Sequence, residues 1–246
     1  MKNANNPTTG FSLIELLVVS LIFTVITGAV FSLLLNSQIR YQSESSLTQV
    51  FQQANVAIDQ ITRDIHSAGY PPVSAFTAAS CSGSRDRFAV PFAWAPNYSA
   101  VWPCNTPRTP LIPCVVNATC TIPGPNDLIL EADLGQGVQW IRYSLSGTTL
   151  SRAVTAKNPN IDPVSSTDSA LVPYLDGVLN GNRNRPIFTY KVDPKVDPTG
   201  LAAYGPADIG EVNISLIVQA AKPDPQNGQF RMVTLTGQAI RLNPNQ

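Results

Sequence analysis

An uncharged apolar run near the N-terminus constrains this chain more than any other feature of its sequence. No Asp, Glu, Lys or Arg occurs between Glu15 and Arg40, and apolar residues dominate as far as Leu35. A helix rises about 1.5 Å per residue, so about 20 apolar residues are enough to cross a hydrocarbon core of about 30 Å. The run therefore predicts a membrane-spanning helix.

Glu15 is the one acidic residue at the start of this run. A carboxylate inside an apolar membrane segment costs about 2.5–3.5 kcal/mol on insertion scales, so an anchor alone is better without it. Either a cation within the membrane pairs with Glu15, or the side chain lies at the membrane edge and reaches water. The carboxylate by itself favours neither alternative.

The helical pattern continues beyond Arg40 as an amphipathic stripe, with polar residues, Asp64 among them, predicted on the other faces. A Gly followed by two prolines, at 69 and 71–72, marks the end of the helix. The sequence therefore predicts one helix over about 11–67, whose second half needs a sheet to cover one face. The stripe recurs at steps of three and four residues and comprises Leu47, Val50, Phe51, Ala54, Ile58, Ile61 and Ile65.

Alternating and apolar segments bounded by turn residues predict an antiparallel β domain over 127–246. A long hairpin is expected around residues 223–228, and the polar segment 157–169 is expected to be a loop. The fold class predicted is α+β, with the helix packed on an antiparallel sheet. Strands are predicted at 127–133, 138–145, 148–154, 187–192, 211–220 and 230–242, with a short strand or turn within 170–179 and a further short strand considered at 87–90.

Residues 71–126 form an irregular segment rich in Pro and Ser that contains all four cysteines, Cys81, Cys104, Cys114 and Cys120. An even count beyond a membrane anchor indicates disulfides in an oxidising compartment. Zinc is disfavoured because there is no C-x-x-C pair and the chain has a single His. Three connectivities are possible, of which we favour the local pairs Cys81–Cys104 and Cys114–Cys120. The segment is thus interpreted as a disulfide-stapled insertion.

Charge and motifs exclude several classes of protein. The chain has 16 basic and 16 acidic residues, which argues against a nucleic-acid binder because such proteins carry a basic excess. No dinucleotide-binding, P-loop or H-E-x-x-H pattern occurs, and a single His weakens any catalytic triad. We therefore predict no enzyme activity, no cofactor and no resident metal.

Three weaker hypotheses attach to particular residues. The oxygen-rich loop with Asp193, Asp197, Asp208 and Glu211 could hold Ca²⁺, but its spacing matches no defined calcium loop and a solvated loop is favoured. His66 is interpreted as a helix-surface or capping residue rather than a pH switch. A core role is favoured over an adhesive patch for the aromatic residues of the insertion, namely Phe88, Phe92, Trp94, Tyr98 and Trp102.

Residues 10–15, with the sequence GFSLIE, resemble the class III signal of type IV prepilins and of type II secretion pseudopilins. The resemblance implies that residues 1–10 are a leader, cleaved after Gly10 by a membrane prepilin peptidase. It also implies N-methylation of Phe11 and pairing of Glu15 with the Phe11 amine of a neighbouring subunit. Residues 11–39 then serve as the transmembrane and assembly helix, and residues 40–70 as its sheet-covered continuation.

Segments beyond the N-terminal motif restrict this resemblance to a smaller group of pilins and pseudopilins. Residues 56–70, 175–178, 188–190 and 240–244 are similar to PilW-like minor pilins and to J-type minor pseudopilins, although His66 stands where Arg is usual. A pilin fold is implied, with a structural role in initiation, priming or tip capping of a type IV pilus. The alternatives are a minor pseudopilin of type II secretion, or a membrane-anchored periplasmic binding or adhesion module that never assembles.

The resemblance also implies partners and a location. The partners are other pilins through the N-terminal helix, the prepilin peptidase, and inner-membrane lipid before assembly. The implied location is the bacterial inner membrane with the body in the periplasm, and then the cell surface as part of a pilus.

Overall fold

The computed structural model describes residues 12–72, 75, 88–94, 123–158, 161–192, 208–225 and 227–242. Two helices and seven strands lie within these ranges. The helices are α1 (Leu13–Ser67) and α2 (Pro163–Asp168). The strands are β1 (Asp127–Asp133), β2 (Val138–Ser146), β3 (Thr149–Ala156), β4 (Val172–Leu175), β5 (Phe188–Val192), β6 (Ile209–Pro223) and β7 (Phe230–Ile240).

Helix α1 is continuous over 55 residues, or about 82 Å at 1.5 Å per residue, as the sequence predicts. No proline interrupts it, and it passes through Gly28 without a break. The helix stops where the Ala68 N–H donates to Ile65 O at 3.1 Å. Gly69 then takes a φ of +79°, a left-handed conformation that only Gly adopts readily, so the residue acts as the stop signal expected of it.

The strands form two antiparallel sheets, in the orders β1-β2-β3-β4 and β5-β6-β7, where the sequence predicts one. The break follows β4, where Gly177 has a φ of +77° and lies against β6, with only 3.0 Å between a Cβ added there and Gln219 O. An isolated pair, Val178 with Val218, is the bridge between the two sheets. The left-handed conformation of Gly177 interrupts the extended backbone, and the pairing of β4 with β3 ends just before it, at Leu175.

Beyond the pair of Val178 and Val218, the side chain of Asn180 makes the next contacts with β6. Its Nδ2 donates to Ser215 O and its Oδ1 accepts from the Ile217 N–H, both at 2.8 Å. The fully buried amide therefore takes the place of a neighbouring strand along this part of β6.

Two local predictions are wrong. The segment 157–169 contains helix α2, which Asp162 caps by accepting the Ser165 N–H at 3.0 Å, with Pro163 at the first helical position. The described part of the segment 87–90 forms no strand. Its neighbour Phe92 pairs with Leu130 of β1 instead.

The core lies between the second half of α1 and the sheets. Phe92 and Trp94 belong to the same buried cluster, and Phe88 is buried nearby, which confirms the core interpretation for these three aromatic residues. Tyr98 and Trp102 lie outside the described residues. The helix contributes Val50, Ala54, Ala57, Ile58, Ile61 and Ile65, and the body contributes among others Leu128, Leu130, Ile141, Leu150, Val212, Ile214, Leu216 and Leu235.

Candidate assembly helix

The first turn of α1 presents Glu15 to the outside. Ser12 precedes the helix in an extended conformation, and its carbonyl accepts the N–H groups of Glu15 at 3.0 Å and Leu16 at 3.2 Å. Glu15 is exposed, and its carboxylate lies where the unpaired N–H groups of a helix start favour negative charge. The exposed carboxylate is therefore accessible to a cation from outside this subunit.

The N-terminal half of α1 carries an uncovered apolar surface. All residues from 12 to 42 are exposed except Thr27, which is half-buried, and Ser43 is the first buried position. This helix is long and apolar enough to cross a membrane. Large apolar side chains exposed on every face are typical of a segment whose solvent is lipid or other helices. They include Leu13, Ile14, Leu16, Leu21, Ile22, Phe23, Val25, Val30, Phe31, Leu33 and Leu35.

Two hydroxyl groups within this apolar segment are satisfied by the helix itself. Ser20 Oγ donates to Leu17 O at 2.9 Å, and Thr24 Oγ1 donates to Ser20 O at 2.8 Å. A polar group without a partner is costly in hydrocarbon, so internal bonds of this kind make the hydroxyls compatible with lipid.

Strand β7 packs very closely against the second half of α1. Gly237 of β7 faces Ile58, and a Cβ built at Gly237 would lie only 2.5 Å from Ile58 Cγ2. The strand can approach the helix this closely only because Gly237 has no side chain. The sheet-covered part of the helix is thereby fixed, while the part before Ser43 is left free for other partners.

Near its C-terminal end, α1 is tied to the first sheet by a buried carboxylate. Asp64 Oδ2 accepts from Tyr143 Oη at 2.6 Å and from Arg152 Nη2 at 2.9 Å and Nε at 3.0 Å. Its other oxygen accepts from Gln60 Nε2 at 2.9 Å. A negative charge is unfavourable near a helix C-terminus, and the guanidinium of Arg152 compensates it.

The same contacts shift the pKa values of the two partners. Burial is the largest cause that raises the pKa of Tyr143, and the charge of Asp64 raises it further. Burial alone would lower the pKa of Arg152, but the Asp64 carboxylate and Tyr143 together outweigh this effect and the pKa of Arg152 is raised. The cluster thus consists of a neutral tyrosine and a charged arginine, both donating to one carboxylate.

A second buried ion pair anchors the segment 88–94 to β1. Glu131 Oε2 contacts Lys157 Nζ at 2.6 Å and accepts the Val90 N–H at 2.9 Å, while Oε1 accepts from Trp140 Nε1 at 2.9 Å. Lys157 Nζ also donates to Phe88 O at 3.0 Å. Burial raises the pKa of Glu131, and Lys157 opposes that rise. Residues 88–94 therefore cover the outer edge of β1 and protect it from other strands.

The structure describes only part of the predicted site. Glu15 lies in the first turn of α1, as described above. Gly10, Phe11 and all four cysteines, Cys81, Cys104, Cys114 and Cys120, lie outside the described residues. Processing, methylation and disulfide pairing therefore stay predictions.

The calcium hypothesis finds no support in the described part of the loop. Asp193 and Asp197 lie outside it, and Glu211 is paired with Lys191 at 2.5 Å. Among the described residues, no group of three or more His, Cys, Asp or Glu side chains could hold a metal ion.

The sequence interpretation missed both buried ion pairs and placed Asp64 on a polar face of the helix. In the structure Asp64 is buried and faces the sheet. A signal was present, because the positions 57, 61, 64 and 68 continue the buried stripe at helical spacing. Glu131 likewise lies in β1 directly after an apolar run, and these apolar neighbours predict a buried strand.

Comparison with known proteins supports the N-terminal interpretation. The family model described as the prokaryotic N-terminal methylation motif matches residues 5–31. This motif is typical of type IV pilins and pseudopilins, whose role is structural. No curated protein and no solved structure matches the chain. The match confirms the resemblance at the N-terminus and supports a pilin-like or pseudopilin protein with a membrane-anchoring helix.

Proposed function

We propose that this chain is a structural minor pilin that takes part in initiation, priming or tip capping of a type IV pilus. The observation that carries the proposal is the uncovered half of α1. It combines the methylation motif over residues 5–31, an exposed apolar surface up to Leu35 and a single carboxylate in the first turn. A helix that only anchored the body would be more stable in lipid without Glu15.

The proposed chemistry begins with processing. A prepilin peptidase cleaves after Gly10, and the new amino group of Phe11 is methylated. That amine stays cationic at neutral pH and becomes the partner of Glu15 on the next subunit. Because attraction between charges is stronger in a low-dielectric helix bundle than in water, the pair favours assembly and fixes the axial register of neighbouring helices.

The body is proposed to lie in the periplasm, where the four cysteines form disulfides in the favoured pairs Cys81–Cys104 and Cys114–Cys120. Lateral packing of the apolar faces of α1 with other pilins supplies most of the assembly energy. The side chains available for this packing are those that lipid surrounds before assembly.

Replacement of Glu15 by Ala tests the proposed pairing. Loss of one hydrogen-bonded charge pair, worth about 1.5–3 kcal/mol, is expected to reduce incorporation into filaments about tenfold or more. The measurement is the amount of the variant in sheared filaments relative to the amount in the membrane fraction. We expect the membrane fraction to be unchanged, since the apolar segment is intact.

Asp59→Ala is the matched control, because Asp59 is another exposed acidic residue of α1 but lies in the sheet-covered half. It is expected to leave incorporation unchanged. Wild-type incorporation of Glu15→Ala would contradict the proposed role of the carboxylate.

A second candidate, a minor pseudopilin of a type II secretion system, is favoured by the same observation, since the motif is shared by both classes. It would use the same helix in a short pseudopilus. Disruption of the gene distinguishes the two, because loss of surface pili supports the first function and loss of protein secretion with pili intact supports the second.

A third candidate is a membrane-anchored periplasmic binding or adhesion module that does not assemble. The buried state of Phe88, Phe92 and Trp94 removes these three residues from any adhesive patch. Recovery of the protein from membranes and never from filaments would support this candidate.

A further inference from the structure

The end of the β6–β7 hairpin lies beside α1, near the point where the helix leaves the body. We call residues 221–223 and 230–232 the hairpin end. Arg231 Nη1 contacts Glu44 Oε1 at 2.5 Å, and its Nη2 contacts Asp224 Oδ2 at 2.8 Å. This guanidinium therefore joins the hairpin to the helix one residue after Ser43, the first buried position of α1.

Two contacts fix the direction in which the hairpin points. Arg231 lies at Glu44, and Gly237 lies at Ile58. The six residues of strand between the first pair and the second span about 20 Å at 3.3 Å per residue. The fourteen residues of helix span about 21 Å at 1.5 Å per residue. Strand β7 thus runs along α1 in the same direction, and the hairpin end points toward the apolar half of the helix.

The hairpin end also lies at the height of the membrane surface. The apolar run ends at Leu35, and Glu44 follows it by nine residues, or about 13.5 Å of helix. Phe230 precedes Arg231 and lies about 3 Å nearer the apolar run, at the level of Gln42. The polar headgroup layer is about 5–7 Å thick on each side of the hydrocarbon core, so Phe230, about 10 Å beyond Leu35, lies just outside that layer.

The exposed side chains there suit such a layer. Phe230 is 45% exposed and Met232 is 46% exposed, while Lys222 and Pro223 are exposed as well. On the helix, Tyr41 is 75% exposed and follows Arg40. Aromatic side chains are enriched at membrane interfaces, as are Lys and Arg side chains whose aliphatic parts lie along apolar surface.

We propose that the hairpin end rests on the lipid headgroup layer before assembly and forms a second, peripheral membrane contact beside the span. The inference rests on the proposed function in one respect, that α1 crosses the membrane. It adds that the body is held against the bilayer, with Phe230 and Tyr41 at the interface and Lys222 toward anionic headgroups. Assembly then requires the hairpin end to leave the lipid.

Site-specific photocrosslinking of the full chain tests this contact. A benzophenone amino acid replaces Phe230 in one variant and Phe23, within the apolar run, in a second. The third variant carries it at Ile240, which is 56% exposed at the other end of β7 and, ten residues away, about 33 Å along the strand. Each variant is reconstituted in vesicles of phosphatidylethanolamine and phosphatidylglycerol and irradiated. Lipid adducts are then detected by mass spectrometry.

We expect lipid adducts at positions 23 and 230 and none above the dark control at position 240. Adducts at 23 with none at 230 would overturn the hairpin contact and leave the membrane span intact. Adducts at none of the three positions would overturn the span and, with it, this inference. Crosslinks from position 230 to a second copy of the chain, in place of lipid, would also overturn the lipid contact, because another subunit would then occupy this surface.

Discussion

At the scale of single residues, Asp64 is a buried carboxylate that ties α1 to the first sheet. It receives hydrogen bonds from both Tyr143 and Arg152 and links the end of α1 to strands β2 and β3. Tyr143 is fully buried, so no water can replace the carboxylate at its hydroxyl group, and the side chain of Arg152 is only 23% exposed. Removing Asp64 therefore leaves a buried hydroxyl group and a partly buried cation without their acceptor.

The variant Asp64→Ala is expected to be less stable by about 3–5 kcal/mol, the usual cost of breaking a buried ion pair. For a domain of this size that corresponds to a melting temperature lower by about 6–20 °C. The measurement is thermal unfolding of the full chain in mild detergent. Asp59→Ala, at an exposed position five residues earlier, is the control and is expected to melt like the wild type.

The pair of Glu131 and Lys157 gives a pH dependence with a defined sign. Burial already raises the pKa of Glu131, and Lys157→Met removes the cation that opposes this rise. With its folded-state pKa above its unfolded value, Glu131 contributes stability that is present below about pH 4.5 and is lost as the pH rises through the folded pKa. The variant is therefore expected to melt much lower than the wild type at pH 8 and to approach it near pH 5.

The control for this experiment is Lys191→Met, which removes the cation of an exposed pair with Glu211. Surface pairs contribute about 0–1 kcal/mol, so this variant should show little loss at either pH. A deficit of Lys157→Met that stays the same from pH 5 to pH 8 would contradict the assignment of a buried, cation-dependent carboxylate.

At the scale of elements, the packing of α1 on β7 depends on the absence of a side chain at Gly237. Val favours strand conformation, so Gly237→Val would stabilise an isolated strand. In this fold the new side chain meets Ile58, and overpacking of this kind costs about 1–3 kcal/mol. The melting temperature is expected to fall by about 2–12 °C.

Thr236→Val is the matched control, because the neighbouring residue of the same strand is exposed on the opposite face. It adds the same side chain without touching the helix and should not lower the melting temperature. If both variants melt at the same temperature, the close approach of β7 to α1 is wrong.

Elements with a strong period were predictable from the sequence, and elements set by tertiary context were not. Helix α1 and strands β1, β2, β6 and β7 follow from apolar spacing and turn residues, because their patterns are long. Helix α2 was missed because it has only six residues, although the Asp162-Pro163 start is a helix signal. The division into two sheets depends on Gly177 and Asn180, whose contacts with β6 cannot be read from local sequence.

Only part of the candidate site was predictable from the sequence. The position of Glu15 in an uncharged helix follows from the sequence alone, since it requires only composition and spacing. The buried roles of Asp64 and Glu131 depend on which strand faces each of them. Only the register of β1, β2 and β3 brings Tyr143, Arg152 and Lys157 to those carboxylates.

At the scale of the whole molecule, α1 is divided into two halves with different surroundings. The body packs against the helix from Ser43 to Ser67 through apolar side chains. Ion pairs at Glu44 and Asp64 lie near the two ends of that part of the helix. The preceding half is exposed, and it carries no charged residue between Glu15 and Arg40. This division lets one helix anchor a folded body in the membrane and then pack laterally with other helices.

The mass of the mature N-terminus, measured on protein from purified filaments, tests this account most directly. Cleavage after Gly10 creates the amine with which Glu15 is proposed to pair, so processing and assembly are examined in one sample. We predict a chain that begins at Phe11 and carries one methyl group on its amino nitrogen. An intact leader of residues 1–10 with unmodified Phe11, or absence of the protein from filaments, would contradict the account.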